Sequence, residues 1–322
     1  MPRTARGTAC GKVILLGEHA VVYGVPALAA GIDRGARAEA TRLDPGEARA
    51  SVLRLGDREI AANASAEDDI GRAFAQLLGE DAPPVSVTAS SDLPPGGGLG
   101  SSAALGVAIA RAVEELASEG EAAAREERAM ARALAWERVF HGNPSGIDTY
   151  AAAHGGAFRF VRGEPSVPLR PACDLWLCVG LSGAGASTRA MVEGLARLFE
   201  RKPDVKRRSI EAITSLVENA ALAVEAGDTS GLGKLMDLNH MVLAGLFLST
   251  EALERLCSLA REAGALGAKL TGSGGGGGVI ALVPPPEPHG PPGEPSAAAA
   301  AVLAAWKGAG FDGFVTRIAA RT

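Results

Sequence analysis

The chain has 322 residues and a net charge of −5, with a pI near 5.7. That length exceeds one ordinary core and points to two domains, and the acidic balance argues against nucleic acid or an anionic membrane as a partner. Hydrophobic residues make up 47% and aromatics 4%, so the core must be built from Ala, Val, Leu and Ile, and the longest alanine-rich run, Ala297 to Trp306, is too short to span a bilayer.

The opening residues, Met-Pro-Arg-Thr-Ala-Arg-Gly, offer no apolar stretch of the kind a signal peptide carries. Val13–Leu16 and Ala27–Ile32 read as strands. Arg34–Ile60 alternates and is charged, with an Asp44-Pro-Gly turn, and suggests hairpins. A helix follows over Asp68–Leu78 and a strand over Val85–Ala89. Ala122–Phe140 is helical, with Met130, Leu134 and Val139 expected on the core side. Ala157–Val161 and Leu175–Val179 are expected strands. Helices are expected over Thr188–Glu200, Arg208–Ala226, Leu232–Leu243, Thr250–Ala263 and Ala297–Lys307, with strands at Val279–Val283 and Phe314–Ile318. Pro284–Ser296 is proline-rich and reads as an extended surface insert. The sequence divides into 1–168 and 169–322, and the element pattern predicts an α+β fold. Cys10, Cys173, Cys178 and Cys257 form no Cys-x-x-Cys pair and read as reduced thiols of a cytoplasmic protein.

The most informative stretch is Asp92-Leu-Pro-Pro-Gly-Gly-Gly-Leu-Gly-Ser-Ser-Ala-Ala104. A glycine-rich loop runs into a helix whose apolar face is Leu105, Ala108, Ile109, Ala112, Val113 and Leu116. Ser101 and Ser102 stand at the helix start. Free backbone N–H groups and the positive end of the helix dipole make this an anion site, with phosphate its usual occupant. It is not a Walker loop, because Ser101 stands where lysine should follow Gly100. A dinucleotide fingerprint occurs by letter at Gly272–Gly277, but it leads into the strand Val279–Val283 instead of opening a helix, so it carries no such meaning.

Three blocks occur in order: Gly11-Lys-Val-Ile-Leu-Leu-Gly-Glu-His-Ala-Val-Val-Tyr-Gly24, the loop above, and Lys269-Leu-Thr-Gly-Ser-Gly-Gly-Gly-Gly-Gly278. Together they resemble the GHMP kinases, and within that superfamily the chain is similar to the mevalonate kinases, from about Cys10 to the last strand. The resemblance implies a two-domain GHMP kinase architecture. Its N-terminal domain would be of the ribosomal protein S5 domain 2-like type and its C-terminal domain ferredoxin-like. It also implies ATP and mevalonate as substrates, Mg2+ as cofactor, and a place in isoprenoid precursor synthesis. A homodimer is compatible with the sequence, which does not fix an oligomeric state.

Phosphoryl transfer needs a phosphate cradle, a divalent cation, activation of the hydroxyl and charge compensation. The cradle is Gly96, Gly97, Gly98, Leu99, Gly100, Ser101 and Ser102, to which the resemblance adds Ser91. The resemblance makes Ser102 and Glu137 the metal ligands; Glu137 precedes His141-Gly-Asn-Pro-Ser-Gly-Ile-Asp148. It makes Asp148 the base and Lys12 its electrostatic partner near the γ-phosphate. By residue type alone, Asp148 would also serve as a helix N-cap and Glu137 as a solvated helix face. The family's usual Asn after the Asp is here Thr149. Lys12, Glu18, His19, Asp148 and Thr188 are the implied acceptor contacts. Ala20-Val21 replaces the Thr-Asp that galactokinases carry after the His, which favours a small branched acid over a sugar. Two rivals remain: a sister GHMP kinase acting on phosphomevalonate or another hydroxyl, and a catalytically inactive sensor of the same fold.

Overall fold

The computed structural model describes residues 4–43, 50–79, 82–94, 96–117, 121–142, 144–183, 185–287 and 295–320. The Asp44-Pro-Gly turn and most of the proline-rich insert lie outside these. The chain forms two compact units. The first comprises Met1–Gly11, Arg34–Pro94 and Gly100–Gly155; the second comprises Lys12–Asp33, Pro95–Leu99 and Gly156–Thr322.

In the first unit, β5 (Val85–Ser91) pairs antiparallel with the second half of β2 (Ala27–Arg42), in the register Ala36 to Ser91 and Arg42 to Val85. On its other side β5 runs parallel to β3 (Val52–Leu55). A parallel neighbour needs a crossover, and α1 (Asp69–Leu78) supplies a helix for it. β4 (Arg58–Ala61) closes a hairpin with β3 through Gly56, whose φ is 57°. The helix α1 begins as the sequence indicates, with the Asp68 side chain accepting from the Ile70 N–H.

Helices α2 (Ser101–Ala117), α3 (Ala122–His141) and α4 (Ile147–His154) complete the unit. The face of α3 differs from expectation. Met130, Leu134 and Val139 are half-buried, and the buried residues are Ala129, Ala133, Trp136 and Glu137. The close approach of α2 selects small residues for the seam. A Cβ on Gly106 would lie 2.7 Å from Cδ1 of Trp136, so the indole fills the space a side chain would need. The carboxylate of Glu114, buried on α2, accepts from Arg128 Nε at 2.7 Å and Arg132 Nε at 2.5 Å. Arg132 continues to the carbonyls of Leu77 and Leu78 and so closes the end of α1.

The second unit holds a four-stranded antiparallel sheet in the order β11 (Asp312–Ile318), β8 (Leu175–Leu181), β10 (Gly278–Val283), β9 (Gly267–Thr271). β10 is buried throughout, consistent with its unbroken apolar run. Helices α5 (Thr188–Arg201), α6 (Pro203–Ala226), α7 (Thr229–Gly245), α8 (Glu251–Glu262) and α9 (Ala297–Gly308) accompany it. α6 starts five residues earlier than the sequence indicates, with Pro203 in its first turn, where a missing N–H costs nothing. β9 is a strand that the glycine-rich third block conceals in sequence. The first half of β2 pairs with β6 (Ala157–Phe160), which pairs with the short β7 (Val167–Pro168). β1 (Thr4–Leu16) and β2 each contribute residues to both units. None of the four cysteines is in a disulfide, and burial pushes the Cys178 and Cys257 thiols up to about 12. Among the described residues no helix is long and apolar enough to cross a membrane.

Candidate active site

In the first unit, α2 starts at Ser101, as the run of glycines followed by two serines indicates. At the second residue of α2, on the seam with α3, Ser102 Oγ donates to Glu137 Oε1 at 2.6 Å. Trp136 Nε1–H is 3.1 Å from the Ser102 carbonyl and 3.2 Å from its hydroxyl. Glu137 is buried, and His141 Nε2 stands 3.7 Å from its Oε2. A glutamate on a solvated face would not be buried against a serine hydroxyl. The pair offers two hard oxygens side by side, the donor chemistry that Mg2+ takes while keeping several waters.

Asp148 lies in the first turn of α4, half-buried. It is not the N-cap: that position is Gly146, at φ 89°. A carboxylate in a first turn is favoured by the helix dipole. Thr149, the next residue, is buried at 1% exposure. Ser91 ends β5, and its hydroxyl bonds to the Gly35 carbonyl and accepts from Leu93 N–H.

In the second unit, Gly96 and Gly98 have φ of 73° and 71°, and Leu99 between the loop and the helix is fully buried. Lys12 N–H donates to the Leu99 carbonyl at 2.8 Å and its Nζ to the Gly98 carbonyl at 3.3 Å. The lysine, 4% exposed, is thus tied to the loop by both backbone and side chain. The third glycine block abuts the same loop. A Cβ on Gly278 would stand 2.8 Å from the Gly97 carbonyl, and one on Gly98 would stand 3.3 Å from the Thr271 carbonyl. Glycine is required there by contact between two backbones.

The turn after β1 carries Glu18 and His19. Gly17 N–H donates to Asn239 Oδ1 at 3.3 Å. Glu18 is fully buried and its Oε1 accepts from Lys269 Nζ. Burial pushes the Glu18 carboxyl up and the Lys269 ammonium down, and each pulls the other back. His19 has φ 61°, uncommon for a residue with a side chain. Its Nε2 donates to the Ser273 carbonyl at 2.8 Å, which fixes the tautomer and leaves Nδ1 as acceptor. Burial holds its imidazole below the ordinary range, with the Ser273 bond pulling the other way. Thr188, first residue of α5, donates to Ser273 Oγ at 3.3 Å. Ser273 therefore joins His19 and Thr188, two residues that lie far apart along the chain.

Known proteins resemble the chain along most of its length. The GHMP kinases N terminal domain matches residues 66–156, and the GHMP kinases C terminal domain matches 219–311. Mevalonate kinase of Pyrococcus abyssi is 34% identical over 296 residues, covering 85% of this chain and 87% of its own. The mevalonate kinase of Methanothermobacter thermautotrophicus is 35% identical over 269 residues, 82% and 85% of the two chains. This chain belongs to the mevalonate kinase family of GHMP kinases. A crystal structure of L. major mevalonate kinase in complex with R-mevalonate superposes with a TM-score of 0.82 at 29% identity, covering 100% of this chain and 98% of the other.

Membership in a kinase family makes the chain a phosphoryl-transfer enzyme, and the expected residues sort accordingly. Ser101, Ser102, Glu137 and Asp148 fall in the first unit with Ser91 and Gly100. Lys12, Glu18, His19, Gly96–Leu99 and Thr188 fall in the second. Sequence reasoning missed Lys269, Ser273 and Asn239. A signal for Lys269 existed: a lysine at the head of an apolar run is as costly there as at Lys12 unless it is paired. No local signal marks Asn239, a buried position within α7.

Proposed function

We propose that the chain transfers the γ-phosphoryl group of ATP to the 5-hydroxyl of mevalonate, giving 5-phosphomevalonate and ADP. The observation that carries this reading is the 34% identity to a mevalonate kinase along 85% of the chain. The paired oxygens of Ser102 and Glu137 and the buried Glu18–His19 turn support it. In the reaction, Asp148 accepts the proton of the 5-hydroxyl as its oxygen bonds to the γ-phosphorus and the bond to the β-phosphate oxygen breaks. The Gly96–Ser102 backbone, with Ser91, cradles the phosphates, and Lys12 meets the charge carried on the γ-phosphoryl. Ser102 and Glu137 would hold Mg2+, which neutralises charge on the β- and γ-oxygens when bound. Glu18, His19 and Thr188 hold the acceptor. The same reading takes 1–168 as the segment bearing the ATP and catalytic motifs and the cytoplasm as the site of action.

Coupled ADP release with mevalonate, its 5-phosphate, galactose and homoserine tests the proposal. Turnover should depend on mevalonate and be negligible with galactose. Faster turnover of the 5-phosphate would move the enzyme to the neighbouring step, and no ADP release with any acceptor would leave a binding protein.

A further inference from the structure

Glu18 has two carboxylate oxygens with different circumstances. Oε1 accepts from Lys269 Nζ. Oε2 is buried and, among the described residues, has no hydrogen-bond partner. Lys269 also donates to the Leu270 carbonyl at 2.6 Å and is itself 0% exposed. Buried acceptors are nearly always satisfied, and an orphaned one is costly. A pair serving stability alone gains nothing from an orphaned oxygen, and apolar residues of the same volume would serve stability as well. The arrangement suits a carboxylate that keeps one oxygen for a ligand's hydroxyl. Burial pushes the Glu18 carboxyl up even beside the lysine, whose charge and hydrogen bond oppose the shift, and losing the lysine would favour the protonated form further, which presents an O–H donor on one oxygen.

We propose that Lys269 is a positioning residue of the acceptor site, which clamps Glu18 through Oε1 so that Oε2 accepts from a hydroxyl of the acceptor that is not phosphorylated. For mevalonate this is the 3-hydroxyl. The inference rests on the reading of Glu18 as an acceptor contact. The turn that bears the carboxylate is fixed by the Gly17 bond to Asn239, the positive-φ backbone of His19, and the His19 bond to Ser273. Gly17 precedes Glu18 and His19 follows it, so the turn is held on both sides of the carboxylate's residue.

The test compares mevalonate with its 3-deoxy analogue, 5-hydroxy-3-methylpentanoate, in the full-length enzyme with ATP. A hydrogen bond to a charged acceptor corresponds to a preference of roughly 10- to 100-fold in kcat/KM, and the wild type should favour mevalonate by about that factor. Lys269→Met should lower kcat/KM for mevalonate much more than for the analogue, mostly through KM, and so erase the preference. Lys269→Arg should restore part of it. If Lys269→Met does not fold, Glu18→Gln/Lys269→Met removes both charges together and should fold with the preference lost. Equal losses on both acceptors in Lys269→Met, or a wild-type preference retained in the double variant, would overturn the inference while leaving the enzyme's assignment intact. A wild type inert toward mevalonate would overturn the assignment and the inference with it.

Discussion

The hydroxyl of Ser102 and the carboxylate of Glu137 meet at 2.6 Å, and the indole N–H of Trp136 also reaches Ser102. Two residues 35 positions apart are thus held by one helix seam. Ser102→Ala and Glu137→Gln should each raise the Mg2+ concentration needed for half-maximal ADP release, with far-UV circular dichroism unchanged. An unaltered Mg2+ dependence in both variants would remove them as ligands.

The same seam predicts a distant lesion. Gly106→Ala places a methyl group 2.7 Å from Trp136 Cδ1, and the large ring must move. Overpacking of this kind costs about 1–3 kcal/mol. The melting temperature should fall, and activity should fall with it, because Trp136 and Glu137 are consecutive. A variant that melts as the wild type does would show that the two helices part without cost.

A carboxylate that takes a proton from an alcohol contributes roughly 10²–10⁴-fold. Asp148→Asn should therefore reduce kcat by at least about a hundredfold, with little change in KM for ATP. Lys12→Met should reduce kcat and, by losing the bond to the Gly98 carbonyl, also raise KM for ATP. Steady-state assays over ATP concentration separate the two patterns. Near-normal kcat in Asp148→Asn would leave positioning as the main source of rate.

Stability should depend on pH through two histidines. Burial lowers the pKa of His19 and also of His240, where the charge of Glu254 opposes the effect of burial. Both are held below the ordinary value of 6.5, so below that pH the unfolded chain binds more protons than the folded one. Stability is then complete above 6.5 and is lost as pH falls through the folded values. Glu114 adds a second loss at lower pH. Burial would raise its carboxyl, but the bonds from Arg132 and Arg128 outweigh this and hold it below 4.5. Calorimetric melting from pH 8 to pH 4 should be level near neutrality and decline below about 6.5. His240→Gln should flatten the first part of the decline; an unchanged slope would exclude it.

Much of this was legible in the sequence because the signals are local. Asp68 and Thr250 cap their helices with side chains that reach two or three residues ahead. The phosphate loop announces itself by glycines and serines in one stretch, and Glu137 and Asp148 stand within one continuous string. What was not legible depends on partners far along the chain. The inward face of α3 is set by the bulk of Trp136 against Gly106, so small alanines and a glutamate turn inward while Met130 and Leu134 stay at the margin. The third block hid β9 because its glycines read as a loop, although Gly267–Thr271 is buried along its whole length. Lys269 could be suspected of having a partner but not which one, since Glu18 is 251 residues away.

That separation bears on how the protein comes to exist during synthesis. Ile14 exchanges two hydrogen bonds with the Thr271 hydroxyl, 257 residues later, and Glu18 finds its counter-charge only when Lys269 appears. At about 5–20 residues per second, the apolar run Val13–Leu16 and the carboxylate beside it leave the ribosome on the order of ten seconds or more before their partners. The nascent chain must keep this segment from other strands for that interval. Translation rate and chaperone supply should therefore bear on the yield of active protein.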